Sequence, residues 1–478
     1  MLFNLQSFGV VEDREHREVL ISSSAPLWAY GLYRLSEQAN RSAQRSERFV
    51  SETEFQGAAD LKTGESAADL IGGVSLGREL SALLRDPAAG LLDDDGLNAD
   101  APIIRIVTMI FNDAIVRQAS DIHLEVYGQK TQIRFRIDGV LKDVAAPPRD
   151  IYAAIVSRIK IMANLDIAEK RLPQDGRITT RLEDQMVDVR VSTLPTGHGE
   201  RVVMRLLRKE AGSADLTSLG MPPELLAEFR RLIAMPNGIV LVTGPTGSGK
   251  TTTLYGAIEA IRTSADNIMT VEDPIEYEMA GVAQTQVQPK IGLSFAAALR
   301  AILRQDPDIL MIGEIRDLET AQIAVQAALT GHLVLATLHT NDAPSSITRL
   351  IDMGIEPFLL SSTINGVLAQ RLVRKLCGVC RIVNEGRAAS SAYRANPLGC
   401  IECKQAGYFG RTGVFELMTN SGELRSAIKQ SADAIQLHAI ALKAGMVPLA
   451  KDAQRWIDAG ITSAEEVSRV LTFEESGH

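Results

Sequence analysis

The sequence is poor in cysteine, in aromatic residues and in long apolar runs. Four of its 478 residues are cysteine, and 5% are aromatic. No apolar run approaches the ~18 to 20 residues that cross a bilayer, so no transmembrane helix is expected. The opening residues, MLFNLQSFGVVEDREHREV, lack the basic-then-apolar order of a secretory signal. We therefore expect a cytoplasmic chain whose only association with a membrane is peripheral.

Acidic residues outnumber basic ones, 59 to 50. The formal net charge is −9, and no basic stretch carries interleaved aromatic residues. A protein that wraps nucleic acid needs a basic surface for the phosphates, so nucleic acid is not expected as a partner. The net charge still leaves room for a local basic channel. The apolar content of 45% is typical of globular protein, and the length allows roughly three domains of ~150 residues.

The first part of the chain divides by pattern. Residues 1–85 carry few strong signals, and the Pro/Gly/Asp-rich residues 86–100 are typical of a linker. The run IIRIVTMIFNDAIVRQASDIHLEV then predicts an amphipathic helix, because its apolar residues recur at helical spacing. The residues that carry this spacing are Ile104, Val107, Ile110 and Phe111.

Further on, strand patterns predominate. QIRFRIDGVLKDV alternates around Asp138-Gly139 and predicts a β-hairpin, and YAAIVSRIKIMANLDI predicts a helix. GRITTRL, QMVDVRVSTL and RVVMRLL are typical of strands. We predict an α+β domain over residues 101–208 and a hinge linker over 209–222.

From residue 223 to 478 the pattern predicts an α/β domain. Strand-like runs such as GIVLVTG, NIMTVED, DILMIGE and HLVLATLH alternate with helical runs, which indicates a parallel sheet with crossover helices. We assign a cysteine module to residues 373–412 and a helical tail to residues 413–478.

A phosphate-binding loop follows the first of these strands. The run GPTGSGKT fits GxxxxGK[ST], in which backbone N–H groups and a helix N-terminus cradle phosphates. Lys250 would reach the β- and γ-phosphates, and the Thr251 hydroxyl would bind Mg²⁺. The alternative, a glycine-rich turn without ligand, is disfavoured by the flanking strand and helix. The predicted nucleotide contacts are Gly244, Pro245, Thr246, Gly247, Ser248, Gly249, Lys250, Thr251 and Thr252.

Acidic residues and a histidine follow the neighbouring strands. Glu272, Asp273 and Glu276 follow one strand, and Glu314 ends another. Since ligands bind outside the carboxyl ends of parallel strands, we expect these carboxylates near the phosphates, where one can hold Mg²⁺ and another orient water. Spacing alone leaves open which carboxylate does which. His339 either senses the γ-phosphate or is structural, and spacing favours neither.

The four cysteines form two CxxC pairs. Cys377 and Cys380 make one pair, and Cys400 and Cys403 make the other, with nineteen residues between the pairs. This spacing predicts a tetrahedral thiolate Zn²⁺ site, which would shape the fold rather than react. A redox pair is the alternative, but the context is not thioredoxin-like.

Together these motifs resemble those of the secretion ATPases. GPTGSGKTTTLY, TVEDPIEYE, DPDILMIGEIRDLETAQIAVQAALTGH and LATLHTNDA are similar to the Walker A, aspartate, Walker B and histidine boxes. The cysteine module narrows the resemblance to the type II secretion ATPase E family and the type IV pilus assembly ATPases. The resemblance covers residues 101–471. The length of the chain and its single short N-terminal region favour secretion over pilus assembly.

The resemblance implies a homohexameric motor that hydrolyses ATP with Mg²⁺ and carries Zn²⁺. Each subunit would hinge a PAS-like domain (101–208) to a RecA-like ATPase domain (223–478), and residues 1–85 would dock a membrane partner. The ring would lie in the cytoplasm, peripheral to the inner membrane. It would act on a polytopic platform protein and on the cytoplasmic domain of a bitopic membrane protein, and so drive pseudopilus assembly and protein export.

The resemblance also implies roles for individual residues. Glu276 would polarise the attacking water, Glu314 would act through Mg²⁺, and His339 is the histidine-box residue. Arg190 and Arg205 resemble the strand arginines that reach the γ-phosphate, which would couple hydrolysis to hinge closure. From the residues alone, these two would be ordinary exposed strand arginines.

Two departures and three alternative functions accompany this interpretation. The Walker B strand ends in Gly313-Glu314 rather than Asp-Glu, and Val126 stands where the family commonly has proline. The alternatives are a type IV pilus assembly motor, a DNA-directed RecA-like motor and a non-hydrolysing, nucleotide-gated scaffold. The acidic charge disfavours the second, and the intact acidic boxes disfavour the third.

Overall fold

A computed structural model describes residues 10–13, 18–22, 46–50, 101–182, 185–208, 215–384 and 393–471. The linker predicted over 86–100, most of the docking region, residues 209–214 of the hinge and the last residues of the tail lie outside this description. The contacts divide the chain into two units. One unit comprises residues 1–116, 129–131 and 144–158, and the other comprises residues 117–128, 132–143 and 159–478.

Three short strands are described before residue 101. They are β1 (Val10–Asp13), β2 (Glu18–Ser22) and β3 (Ser46–Val50). Strand β2 pairs antiparallel with β1 and parallel with β3. The sequence analysis assigned no strand to this region.

Helix α1 (Ala101–Val116) is shorter than its sequence pattern suggests. The chain leaves the helix at Gln118, whose φ is 56°, and continues as strand β4 (Asp121–Tyr127). The prediction of one helix through the whole run is therefore wrong for its second half. Pairing of β4 with a distant strand decides this, because local apolar spacing cannot register a partner about 80 residues away.

Strand β4 belongs to a six-stranded sheet. The other members are β5 (Lys130–Ile137), β6 (Val140–Ala145), β7 (Gln174–Leu182), β8 (Gln185–Thr196) and β9 (Gly199–Arg208), in the order β6-β5-β4-β9-β8-β7. The predicted hairpin is confirmed: Asp138 and Gly139 connect β5 to β6, both with positive φ, as a two-residue turn requires. The predicted helix is α2 (Arg149–Met162).

A further sheet, of seven strands, is formed by residues 238–419. Its strands are β10 (Gly238–Thr243), β11 (Ile268–Glu272), β12 (Ala283–Gln286), β13 (Ile309–Ile312), β14 (Leu333–Leu338), β15 (Ile364–Leu376) and β18 (Tyr408–Thr419). Their order is β12-β11-β13-β14-β10-β15-β18, with every pairing parallel except that of β15 with β18. The predicted parallel sheet is thus confirmed, and β10 lies inside it.

Helices connect these strands and follow them. They are α3 (Pro223–Ile233), α4 (Lys250–Ile261), α5 (Phe295–Ile302), α6 (Leu318–Leu329), α7 (Pro344–Asp352), α8 (Pro357–Thr363), α9 (Gly422–Lys429), α10 (Ala434–Lys443), α11 (Leu449–Asp458) and α12 (Ala464–Leu471). None of the helices in the described ranges is both long enough and apolar enough to cross a membrane.

The two faces of the sheet carry separate hydrophobic cores. On β10, Ile239 and Leu241 pack into one core, and Val240 and Val242 pack into the other. This alternation follows from the two-residue period of a strand. Full burial of each such side chain contributes roughly 1.5–3 kcal/mol, which explains why β10 is apolar at every core position.

Strands β15 and β18 were missed by the sequence analysis. The helical tail predicted from residue 413 begins as strand, because β18 runs to Thr419, and the prediction is corrected there. Helices fill the rest of the described tail, from Gly422 to Leu471. The run INGVLAQRLVRKL is buried on both faces in most of its length, so it lacks the alternation that marks a strand. The small strands β16 (Ile382–Val383) and β17 (Tyr393–Arg394) lie in the cysteine module.

Candidate nucleotide and metal sites

The phosphate loop joins β10 to helix α4, as predicted. The helix begins at Lys250, and its free N–H groups and positive dipole end face the loop. Gly244, Gly247 and Gly249 all have positive φ, at 148°, 80° and 88°. At Gly244 a Cβ would also lie 2.4 Å from the carbonyl oxygen of Gln370, so no larger residue fits there.

Lys250 is buried and folded back on this loop. Its Nζ donates to the carbonyls of Gly244 and Pro245 over 2.7 and 3.1 Å. Burial lowers the pKa of Lys250 to about 8, helped by the charge of Arg371 and opposed by that of Glu314. A phosphate would offer this ammonium a charge-assisted partner in place of two neutral carbonyls.

Glu314 and His339 meet beside Lys250. Glu314 lies just beyond β13 with its side chain 14% exposed, and it forms an ion pair with Arg316. The Nε2 atom of His339 is 3.5 Å from Oε2 of Glu314. Burial and the charge of Lys250 lower the pKa of His339, which favours the neutral form of its ring. The structure therefore brings three predicted site residues together.

Glu272, one of the four acidic candidates, is buried in the core, where its carboxylate accepts several hydrogen bonds. Its carboxylate is 2% exposed and accepts hydrogen bonds from Thr270 over 2.6 Å and from Gln284 over 3.1 Å. The Tyr255 hydroxyl donates to its other oxygen. These donors occupy the carboxylate, so it holds strands and helix together rather than facing the loop.

The glycine before Glu314 has a steric cause. A Cβ at Gly313 would lie 3.2 Å from the carbonyl oxygen of Val271 and 3.3 Å from the Cα of Glu272. The Gly313 N–H also donates to the Val271 carbonyl over 2.8 Å. The two neighbouring strands lie so close together that an aspartate at position 313 would require β11 to shift.

Glu276 lies near two arginines of the six-stranded sheet. Burial raises the pKa of Glu276, while the charges of Arg190 and then Arg205 lower it in part. Arg190 and Arg205 are direct partners across β8 and β9. With Asp273 and Pro274 they line a cleft of about 490 Å³, and the Nε of Arg205 donates to Asp121 over 3.0 Å.

Two polar residues of β15 were missed by the sequence analysis. Gln370 contacts Ser248 and Thr253 of the phosphate-loop region, and Arg371 donates to the carbonyl of Asn341 over 2.9 Å. The signal that could have found them is a pair of polar side chains inside an otherwise apolar run.

The four cysteines converge in space. Their sulfur atoms all lie within 4.8 Å of one another. Cys377 and Cys400 are separated by 3.6 Å between sulfurs, and Cys380 and Cys403 by 3.7 Å. Four thiolates at 2.3 Å from a tetrahedral Zn²⁺ would be about 3.8 Å apart, so the cluster fits that ion. A disulfide would need sulfurs about 2.05 Å apart.

Backbone groups also favour a thiolate at one of these positions. The N–H groups of Cys400 and Gly407 point at the sulfur of Cys403 over 3.1 and 3.2 Å. Burial opposes ionisation of this thiol, but these hydrogen bonds, together with those from the thiols of Cys380 and Cys400, lower its pKa to about 7. A metal ligand of this kind binds in its deprotonated form.

Comparison with known proteins agrees with this geometry. The family model described as "Type II/IV secretion system protein" matches residues 96–469. The chain belongs to the type II/IV secretion system protein family. It is therefore related to P-loop ATPases, as the loop, the sheet order and the acidic residues at the strand ends indicate.

Individual relatives cover most of the chain. The chain is 53% identical over 458 residues to "Type II secretion system protein HxcR" of Pseudomonas aeruginosa, covering 95% of this chain and 94% of the relative. It is 54% identical over 383 residues to "Type II secretion system ATPase E" of Vibrio cholerae, covering 78% and 76%. The solved structure of "the Pilus Retraction Motor PilT and Bound ADP" has 28% identity and a TM-score of 0.53, with 76% and 96% covered. The predicted resemblance to type II secretion ATPases is confirmed.

Proposed function

We propose that the chain hydrolyses ATP and that this reaction drives protein export by a type II secretion system. The observation that carries the proposal is the meeting of Lys250, Glu314 and His339 at a complete phosphate loop. The loop holds a triphosphate, and the acidic and basic groups around it can serve the transfer of its γ-phosphoryl group.

Glu276 is the proposed base of the reaction. Water would attack the γ-phosphorus, the bond to the bridging oxygen would break, and the proton would pass to the Glu276 carboxylate. Its raised pKa makes it a stronger base than an exposed glutamate. Arg190 and Arg205, whose charges act on Glu276 from β8 and β9, would neutralise charge that develops on the phosphoryl oxygens.

The Thr251 hydroxyl and the Glu314 carboxylate are the proposed ligands of Mg²⁺. Both offer hard oxygen atoms near Lys250, which is the kind of donor this ion takes. When bound, the ion would neutralise charge on the β- and γ-phosphates. The four cysteines are proposed to hold Zn²⁺ as a structural ion.

The motor role follows from the position of the arginines. They belong to the six-stranded sheet, whereas the phosphate loop belongs to the seven-stranded sheet. Contacts from both sheets to one phosphoryl group would change on hydrolysis, and a hinge over residues 209–222 would convert that change into rotation. We propose a homohexamer at the cytoplasmic face of the inner membrane, in contact with a bitopic and a polytopic membrane protein.

A second candidate is a motor that assembles type IV pili. The likeness to a protein named as a pilus retraction motor supports only a role at pili in general, and the 53% identical relative is named for secretion. Both candidates use the same chemistry at the phosphate loop, and they differ in the membrane machinery on which the ring acts.

Replacement of Lys250 by Ala in the chromosomal copy tests these candidates. Loss of extracellular proteins with normal pili would support secretion, and loss of pili with normal secretion would support pilus assembly. If neither changed while the variant was expressed, both candidates would be wrong. Lys290→Ala, at an exposed lysine, is the matched control and should leave both processes intact.

A further inference from the structure

Gln370 connects β15 to the phosphate loop through a buried amide. Its side chain is 2% exposed, and both ends of the amide are hydrogen-bonded. Nε2 donates to the carbonyl of Ser248 over 2.7 Å, and Oε1 accepts from the hydroxyl of Thr253 over 2.8 Å. Because a carbonyl only accepts, Ser248 requires the NH₂ end of the amide, and the oxygen is left for Thr253.

The Ser248 carbonyl belongs to the same peptide unit as the Gly249 N–H. In a trans peptide these two bonds point in opposite directions. A carbonyl held toward Gln370 therefore turns the Gly249 N–H to the opposite side of the loop. Gly249 lies in the left-handed region, at φ 88°, and has no side chain, so its own conformational preference does not fix that peptide unit and the hydrogen bond from Gln370 restrains it.

The main chain of Gln370 also limits the loop at its beginning. The last register pair between β10 and β15 joins Thr243 to Ala369, so Gln370 lies level with Gly244. The close approach of the Gln370 carbonyl to Gly244 leaves no room for the loop to shift toward β15. Gln370 therefore restrains both Gly244, the first glycine of the loop, and the peptide unit between Ser248 and Gly249.

We propose that Gln370 is a positioning residue that turns the Gly249 N–H toward the β-phosphate of a bound nucleotide. The proposal depends on the proposed ATPase function only for the identity of the ligand, and it concerns binding rather than turnover. N–H groups of a phosphate loop bind phosphate oxygens directly, so an inverted peptide would present a carbonyl oxygen to the anion.

Gln370→Leu keeps the size of the side chain and removes both hydrogen bonds. We expect the Kd for ADP, measured by isothermal titration calorimetry, to rise about tenfold or more, as for loss of one hydrogen bond to a charged group. Gln322→Leu, at an exposed glutamine of α6, is the matched control and should bind ADP like the wild type. Equal affinities of the two variants would overturn the proposal.

Gln370→Glu gives a second, independent test. Its carboxylate would repel the Ser248 carbonyl, whereas the protonated acid would donate to it, and burial raises the pKa of such a group. The ADP affinity of this variant, divided by that of the wild type at the same pH, should rise severalfold between pH 8 and pH 6. A ratio that stays constant over this range would contradict the proposal, and a general loss of folding cannot produce a recovery.

Thr253→Val decides the matter if Gln370→Leu does not fold. It should weaken ADP binding severalfold because the amide loses its second anchor, while Thr253→Ser should bind normally. Equal binding by both Thr253 variants would count against the proposal.

If the wild type bound ADP but hydrolysed no ATP, the proposed function would fail and the role of Gln370 would stand. If Lys250→Ala abolished ADP binding and Gln370→Leu did not affect it, the proposed role of Gln370 would fail and the proposed function would stand.

Discussion

The Nε2 atom of His339 lies 3.5 Å from Oε2 of Glu314, and Glu314 in turn contributes to the charge around Lys250. A carboxylate, an imidazole and an ammonium group thus share one end of the sheet. Each comes from a different strand end or helix start, so their meeting depends on the strand order β13-β14-β10. The first two predictions below concern this cluster.

Glu314→Gln should abolish turnover but not nucleotide binding. The substitution keeps size and removes the charge that the proposed Mg²⁺ ion requires, so kcat should fall at least about 100-fold. Phosphate release measures kcat, and calorimetry with ADP in the absence of Mg²⁺ measures binding. Glu423→Gln, at an exposed position of α9, should leave both unchanged. Normal turnover of the Glu314 variant would remove this residue from the site.

The affinity for ADP should fall as the pH rises through the pKa of Lys250, which is about 8 in the free protein. Bound phosphate favours the charged form, so the Kd should rise by up to about tenfold per pH unit once the lysine is neutral. Calorimetry from pH 7 to pH 9.5 measures this change. Lys250→Arg stays protonated throughout, so its Kd should be flat over that range. Parallel curves for the two proteins would contradict the assignment.

The acidic side of the pH–kcat/KM profile should report Glu276. Turnover needs its carboxylate, so kcat/KM should rise as the pH rises through the raised pKa of this group in the free protein. Arg190→Met removes the largest charge that lowers this pKa and should move the rise to higher pH, and Arg205→Met should move it less. Arg349→Met, at an exposed arginine of α7, should not move it. If Arg190→Met left the pH profile unchanged, the charge of Arg190 would not act on the pKa of Glu276.

The wild-type chain should carry one zinc ion, and Cys400→Ser should lose it. Three remaining thiolates and a hydroxyl bind Zn²⁺ much more weakly than four thiolates, and loss of the ion removes its contribution to folding. Elemental analysis of the purified proteins measures the metal, and thermal unfolding measures the stability. Val379→Ala, at an exposed residue between Cys377 and Cys380, should retain the metal. A metal-free wild type with intact thiols would make the cluster a redox or purely structural group.

Short-range patterns accounted for much of the site. The strand–loop–helix conformation around the predicted phosphate loop was found as expected, because its glycines, lysine and threonine lie close together in sequence, where backbone conformation follows from residue type. The hairpin at Asp138-Gly139 was predicted for the same reason. The spacing within each CxxC pair is also a local signal, since two intervening residues let both sulfurs of the pair lie close enough to bind one ion.

Long-range contacts decided the rest. Thr253 and Gln370 are 117 positions apart, and Arg190 lies on β8 of the six-stranded sheet, whereas Glu276 lies between β11 and β12 of the other sheet. No local pattern distinguishes Glu272, which is buried in the core, from Glu276, on which the arginine charges act, because Glu272 ends β11 and Glu276 comes only four residues later. Strand β15 carries no alternation, since it is buried on both faces, and its pairing with β10 and β18 alone makes it a strand.

By itself, the sequence determined the chemistry that this protein can offer: a loop for phosphates, carboxylates after strands and four thiols for a metal. These depend on residue type and on spacing over a few positions, where backbone geometry permits few choices. Only the tertiary structure decided which carboxylate stays free, which arginines approach it and which buried amide holds the loop. Those outcomes depend on strand order and on packing between distant segments, which no local pattern records.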